Sequence, residues 1–283
     1  MADCIVCGED RWESRWGILC RCRGCGFLRA AEIPSPDAAT RLYADRYFSG
    51  KEYGNYLADR DVHLRNFAAR LRDMHRLAGP LKCVFEIGCA YGLSLDLMSR
   101  HQIHAEGLDV CREAVEYAVE QLGQRATVGD FLSTPLTSGA YDAFCLWDTI
   151  EHLPQPEPVV QRIAASLRPG GWLFLTTPDT GSLVARWRGR RWRMIHPPTH
   201  LYYFSRPTVR QFLKRHGLTV MQVKSVAVFR TLHSVLGGMA ALRPGLSGAM
   251  AARLKALLPE RLQRRVGAWV NLGDIMFVAA MKP

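Results

Sequence analysis

The chain has 283 residues, 48% of them apolar, and a formal charge of +11, from 37 Lys and Arg against 26 Asp and Glu. That length suits one large α/β domain plus an appendage, and the apolar content excludes a disordered chain. No charge-free apolar stretch reaches the ~18 residues of a membrane span, and no basic-then-apolar signal opens the chain.

Nine cysteines in such a chain predict a cytoplasmic, reducing setting, with metal or buried-thiol roles rather than disulfides. The positive excess, mostly arginine, points to an anionic partner: nucleic acid, a phosphorylated or nucleotide-linked molecule, or a membrane surface.

Cys4-x-x-Cys7 and Cys22-x-x-Cys25, each followed by a glycine, form the first motif. Four thiolates in two such pairs favour tetrahedral Zn²⁺, with Cys20 outside the symmetric spacing. Two redox CxxC motifs fit less well, because neither opens a helix. Residues 1–36 therefore read as a zinc-binding module whose folding needs the metal, since about thirty residues bury too small a core. Trp12, Trp16 and Phe27, with Arg11, Arg15, Arg21, Arg23 and Arg29, give it an aromatic and basic rim of the kind that also contacts RNA.

Ile33-Pro34-Ser35-Pro36-Asp37 reads as a stiff linker. Residues 37–79 read as a helical segment covering a pocket. It comprises a short helix from Asp37 to Leu42 and a longer one from Tyr56 to Leu77, which carries Leu57, Leu64, Phe67, Leu71 and Met74 and stops at Gly79-Pro80. Tyr47, Tyr53, Tyr56 and Arg65 are candidates to cover a cofactor.

Cys83 to Ile87 reads as a buried strand with Glu86 near its end. Gly88-x-x-x-Gly92 follows, then a helical pattern from Leu93 to His101. Strand, glycine turn and helix open a nucleotide-binding α/β unit, whose ligand lies beyond the carboxyl ends of the strands. A second strand, Ile103 to Leu108, ends at Asp109, an acid placed to accept hydrogen bonds from ribose hydroxyls. A third, Ala126 to Val128, delivers Asp130 toward an adenine amino group and Phe131 toward the base. The fourth, Tyr141 to Trp147, ends in Asp148-Thr149-Ile150-Glu151-His152. A helix from Pro154 to Leu167, the turn Leu167-Arg168-Pro169-Gly170-Gly171 and a fifth strand, Trp172 to Thr177, complete the alternation.

Taken in this order, Glu86-x-Gly88-x-x-x-Gly92, Asp109, Gly129-Asp130-Phe131, Tyr141-Asp142, Asp148-x-x-Glu151-His152 and Leu167-x-Pro169-Gly170-Gly171 resemble the class I S-adenosylmethionine-dependent methyltransferases. The resemblance covers roughly residues 80 to 220. It is nearest to the branch with Glu-His after strand four and a later Thr-His-Leu-Tyr-Tyr-Phe-Ser segment, here Thr199 to Ser205. It implies a Rossmann-like α/β fold with a seven-stranded, mostly parallel sheet whose last strand, Asp274 to Met281, runs antiparallel. By resemblance, Glu86, Gly88 and Gly92 line the methionine end of the cofactor. Asp109 holds the ribose, Asp130 and Phe131 the adenine, and Trp147 and Asp148 lie beneath the sulfonium. The family usually has a third glycine where this chain has Ala90.

Methyl transfer is an in-line displacement in which a hydroxyl or carbon nucleophile must also lose a proton. His152 beside Glu151 is the first candidate base, and His200 is the second, with His196 weaker. Asp148, Glu151 and His152 could instead hold a divalent ion. Residues 179–205 form a basic lid region. Its Arg186-Trp187-Arg188-Gly189-Arg190-Arg191-Trp192-Arg193 suits a phosphate-bearing acceptor or RNA.

A helix from Pro207 to His216 and a strand from Leu218 to Val228 follow. An insertion at 231–270 then pairs apolar leucines with basic residues, the pattern of a lid, a dimer surface or a peripheral membrane contact. The expected domain is thus 80–283 with two embellishments, and no sequence signal sets the oligomeric state.

Together these features predict a zinc-containing S-adenosylmethionine-dependent methyltransferase. It acts at oxygen, or at carbon, on a small-molecule, sugar, glycan, lipid-linked or secondary-metabolite acceptor. An RNA methyltransferase is the first alternative, although strand four does not end in the Asn/Asp-Pro-Pro-Tyr type of sequence. A non-catalytic scaffold or regulator that keeps the fold and the zinc is the second.

Overall fold

The computed structural model describes residues 3–46, 56–242 and 246–283, so Tyr47 and Tyr53 lie outside the described residues. At the amino end β1 (Trp12–Arg15) and β2 (Leu19–Cys22) form a hairpin, and β3 (Leu28–Ala30) pairs on β2. The hairpin reverses through the three residues Trp16, Gly17 and Ile18, the first two at positive φ.

α1 (Pro36–Arg46), a 3-10 turn (Tyr56–Asp59) and α2 (Arg60–Ala78) lead into the main domain. There β4 (Cys83–Ile87), α3 (Leu93–Arg100), β5 (His104–Asp109), α4 (Arg112–Glu120) and β6 (Arg125–Val128) alternate. β7 (Tyr141–Trp147), a 3-10 turn (Ile150–His152), α5 (Pro156–Ser166) and β8 (Leu167–Pro178) continue the pattern. β8 begins earlier than the sequence predicts, because Leu167 already pairs with Tyr141 across a register shift.

α6 (Leu183–Arg188), β9 (Tyr202–Tyr203), α7 (Arg206–Arg215) and β10 (Thr219–Ser225) follow. The strand expected from Leu218 to Val228 is instead two: after β10 the chain starts β11 (Val228–Thr231), which pairs with a different partner. That partner, β12 (Gly267–Val270), closes the insertion of α8 (Leu232–Leu242), α9 (Leu246–Leu257) and α10 (Glu260–Arg265). β13 (Ile275–Met281) ends the chain's regular structure.

The seven-stranded sheet has the order β10-β13-β8-β7-β4-β5-β6. β4 to β8 run parallel, and β13 lies antiparallel between β8 and β10. Parallel strands covered on both faces must be apolar throughout, and β7 and β13 are buried along almost their whole length.

The amino-terminal sheet does not stand apart. β9 adds to it as a fourth strand, Leu28 opposite Tyr203 and Arg29 opposite Tyr202. Phe27 packs its ring 5.0 Å from Phe204 and 6.1 Å from Tyr202. Cys4, Val6, Cys22 and Phe27 share one continuous apolar core with Val209, Phe212 and Leu213 of α7. Among the described residues no helix is long and apolar enough to cross a membrane.

Candidate functional site

The site forms where β4, β5 and β7 end. Gly88 takes φ +79°, and a Cβ there would come within 2.7 Å of the Thr149 hydroxyl, so this turn tolerates only glycine. At Gly92, φ is +71° and a Cβ would meet that of Ala118 at 2.6 Å. Ala90 also lies in the left-handed region, at φ +47°. Alanine therefore keeps the backbone path a glycine would take, at a cost of about 1–2 kcal/mol. The Asp109 carboxylate helps hold it there. Its Oδ2 accepts the Ala90 amide at 2.8 Å and its Oδ1 accepts the Cys111 amide at 2.9 Å. Burial pushes the Asp109 pKa up, and those backbone amides oppose the rise.

Glu86 is buried at the end of β4, and its Oε2 has no partner among the described residues. Burial, only partly offset by Ser94, pushes its carboxyl up to about 8. Trp147 is buried too, with an unpartnered indole N–H and its ring stacked on Phe277 at 6.4 Å. Two orphaned buried polar groups beside a glycine turn fit a ligand with polar atoms of its own, since such groups are normally satisfied.

Asp148 takes φ +52°, and its carboxylate accepts a hydrogen bond from Arg70 at 3.0 Å. Arg70, whose side chain is 13% exposed, also lies over the Trp147 ring at 5.3 Å. Nothing in the sequence pattern singles out this residue. It sits on the polar side of a mixed helix, and the signal lies only in the two buried carboxyls, Glu86 and Glu151, whose charged forms it favours against burial. Tyr56 stacks on His63 at 4.0 Å and on Tyr91 at 5.4 Å, so the start of α2 meets the glycine turn.

Asp130 is exposed beyond β6, where its carboxylate accepts the Leu132 amide at 3.3 Å. Phe131 is buried among Phe85 and Phe144, with ring distances of 5.9 and 6.0 Å, so its contacts there are with the protein core. Arg65 lies over the Phe229 ring at 4.6 Å, on the insertion's side of α2.

Glu151 and His152 lie in the 3-10 turn after β7. Glu151 accepts the Thr177 hydroxyl at 2.9 Å, and burial pushes its pKa well up. His152 Nδ1 lies 2.9 Å from the Thr199 carbonyl. A carbonyl only accepts, so Nδ1 carries the proton and the lone pair is on Nε2. His200 is fixed the same way, its Nδ1 donating to the Met194 carbonyl at 2.9 Å. Its ring centre is 4.6 Å from that of His152 and 4.1 Å from that of His196. Burial pushes His152 down to about 4 and His200 down to about 2, so both stay neutral at ordinary pH. Ligand atoms of Glu151, His152 and His200 lie within 4.8 Å of one another. Asp148, expected with them, is instead held by Arg70.

The arginine cluster divides. Arg193 pairs with Asp274 at 3.0 Å, and the buried Trp192 donates to the same carboxylate. Arg186, Arg188, Arg190 and Arg191 are exposed and form no ion pair with any described residue.

At the amino end the four cysteine sulfurs lie within 4.8 Å of one another. Cys4 to Cys25 is 3.7 Å and Cys7 to Cys22 is 3.5 Å. A tetrahedral Zn²⁺ with sulfurs at about 2.3 Å separates them by about 3.8 Å, so the donor set fits that ion.

The family model for a methyltransferase domain matches residues 56–223, more than half the chain. A ubiquinone biosynthesis O-methyltransferase from Burkholderia pseudomallei is 28% identical over 160 residues, covering 52% of this chain and 69% of that protein. One from Paraburkholderia phytofirmans is 29% identical over 167 residues, covering 54% and 71%. Among solved structures, an S-adenosylmethionine-dependent methyltransferase from Thermotoga maritima, described as a possible histamine N-methyltransferase, aligns over 86% of this chain and 99% of its own. Its TM-score is 0.55 and its identity 16%. One from Archaeoglobus fulgidus aligns over 83% and 98%, at a TM-score of 0.54 and 18% identity. These structures share the fold.

Proposed function

We propose that this chain, which belongs to the methyltransferase-domain family and is an S-adenosylmethionine-dependent methyltransferase, places the methyl group on a hydroxyl oxygen of a small acceptor. The observation that carries this reading is the Nε2 lone pair of a neutral His152 at the end of β7, beside Trp147 and Asp148. A hydroxyl is a poor nucleophile until its proton leaves, and a neutral imidazole can take it. The O-methyltransferase names of the relatives support oxygen. The acceptor class we favour is a sugar, glycan, lipid-linked or secondary-metabolite hydroxyl. The four unpaired arginines from Arg186 to Arg191 favour one that bears phosphate. Mass and NMR analysis of the product tests this: a methoxy group is expected, and an N-methyl or C-methyl product overturns it.

Bound S-adenosylmethionine supplies an electrophilic methyl group on a sulfonium. In our reading the turn from Gly88 to Gly92 would admit it, Glu86 would hold its ammonium, Arg70 its carboxylate, and Asp109 and Asp130 the ribose and adenine. His152, with His200 behind it, would take the proton of the acceptor hydroxyl. The four cysteines hold a structural Zn²⁺.

The raised Glu86 pKa makes cofactor affinity pH-dependent. Without ligand this carboxyl is protonated up to about 8, so burying it costs folding stability as pH rises from its ordinary range toward that value. Partnering an ammonium requires the carboxylate. Affinity should therefore rise between about pH 6 and pH 8, approaching tenfold per unit, until the cofactor's α-amino group starts to lose its proton near 8. Titration calorimetry checks this. Glu86→Gln should flatten the profile, and an unchanged slope in that variant removes Glu86 from the assignment.

A further inference from the structure

The insertion between β10 and β13 exposes large apolar side chains that no described element covers. On α9, Met250, Leu254 and Leu257 recur at i, i+4 and i+7, which puts them on one face, and Leu257 is 80% exposed. One flank of this face, at Ala251, is buried, in keeping with the packing of α9 on α8. Leu262 of α10 and Val266 just beyond its end are exposed, and so is Trp269 of β12.

The surface is firmly held. The Gln263 amide donates to the Lys255 and Leu258 carbonyls, each at 2.7 Å, and so fixes α10 against the end of α9. Arg264 reaches Asp59 at 3.2 Å, and Asn66 brackets the Phe229 backbone, accepting its amide at 2.7 Å. The insertion is therefore docked on α2.

Charge decides what covers this face. Arg253, Arg261 and Arg265 are exposed beside the apolar row and form no ion pair with any described residue. The single acid from 246 to 270, Glu260, is engaged by Arg264 at 2.7 Å. A second copy docked through a two-fold would set these arginines against one another, which is unfavourable. Leucines at helical spacing, flanked by arginines and followed by an exposed tryptophan, match instead the boundary between acyl chains and anionic headgroups. There the leucines leave water, the arginine stems reach phosphates, and tryptophan is at home.

We propose that the face built from α9, α10 and Trp269 docks this protein on an anionic phospholipid bilayer. The inference is independent of the acceptor, because none of these residues belongs to the candidate site. Vesicle co-sedimentation tests it, using phosphatidylcholine alone and phosphatidylcholine with a substantial fraction of phosphatidylglycerol. The full-length protein should bind the anionic vesicles and not the neutral ones, and salt should weaken binding because the attraction acts over a Debye length. Arg253→Gln, Arg261→Gln and Arg265→Gln together should weaken it on the order of a hundredfold. Leu254→Ser with Leu257→Ser should weaken it at least about tenfold. Unchanged melting temperature and cofactor affinity show that the variants remain folded, since every replaced side chain is exposed. Equal binding to both vesicle types, or wild-type binding by both variants, overturns the proposal. So does a concentration-dependent dimer that Leu257→Ser dissolves, or displacement of the vesicles by polyuridylate, which would assign the face to self-association or to RNA.

Discussion

Cys22→Ser should abolish metal binding at the amino terminus and disable methyl transfer while leaving cofactor binding nearly intact. A structural Zn²⁺ site returns on the order of 10 kcal/mol as folding free energy, and three short strands have no comparable source of their own. The effect should not stop at the small sheet. β3 pairs with β9, which comes from the main domain, and the Ala30 amide donates to the Leu201 carbonyl at 2.7 Å. The Leu201 amide in turn donates to the Glu151 carbonyl at 2.8 Å, within the turn that carries His152. Two residues upstream of Leu201, the Thr199 carbonyl is the acceptor that sets the His152 tautomer. The metal site is thus connected by backbone hydrogen bonds to the proposed base. The cofactor residues on β4 and β5 pair only within the large sheet. Metal analysis should give about one zinc per wild-type chain and none in the variant. Turnover should fall by at least about tenfold with cofactor affinity within a few-fold. If the variant does not fold, chelator titration of the wild type asks the same question. Loss of zinc with turnover retained would sever the link between the module and the acceptor site.

That link marks where the sequence becomes illegible. Glu86, the glycine turn, Asp109 and the acids after β7 announce themselves because local geometry demands them: a positive φ at Gly88 and a strand ending on an acid leave residue-level traces. The parallel core of the sheet follows from the alternation of strand and helix. β9 leaves no such trace. It is two residues long, and its pairing with β3 joins segments more than 170 positions apart, so no periodicity encodes it. Arg70 was hidden for a related reason. An arginine on a mixed helix reads as solvated, and only the fold brings it over Trp147 and beside Asp148. Ala90 is the reverse case. The sequence flags it as a departure, and the structure keeps it at φ +47° with its amide held by Asp109. Phe131 sits next to a legible acid, but its ring belongs to the aromatic core behind the sheet.

His152→Ala should lower turnover by about 10²–10⁴ with cofactor affinity unchanged, the range typical for removing a general base. The pH profile gives the stricter test. Burial pushes His152 down to about 4, so its neutral form persists well below the usual imidazole range. A base must be neutral to act, so kcat/KM for the acceptor, measured with the cofactor kept saturating at every pH, should stay level as pH falls from 7 and decline only near about 4. A decline near the ordinary histidine value of about 6.5 would place the base on an imidazole other than His152. The same substitution removes one member of the Glu151, His152 and His200 group, so a metal-ligand role would also lower turnover. The two roles separate on adding Mg²⁺ or Mn²⁺ to the zinc-loaded protein, since a general base working alone is indifferent to the added ion and a metal-activated hydroxyl is not. They separate again at Glu151→Gln. The Glu151 carboxyl accepts the Thr177 hydroxyl and is driven toward its neutral form by burial. If it serves only to tie the turn to β8, the amide should reproduce that hydrogen bond and cost little. If it ligates an ion, the amide should cost nearly as much as His152→Ala.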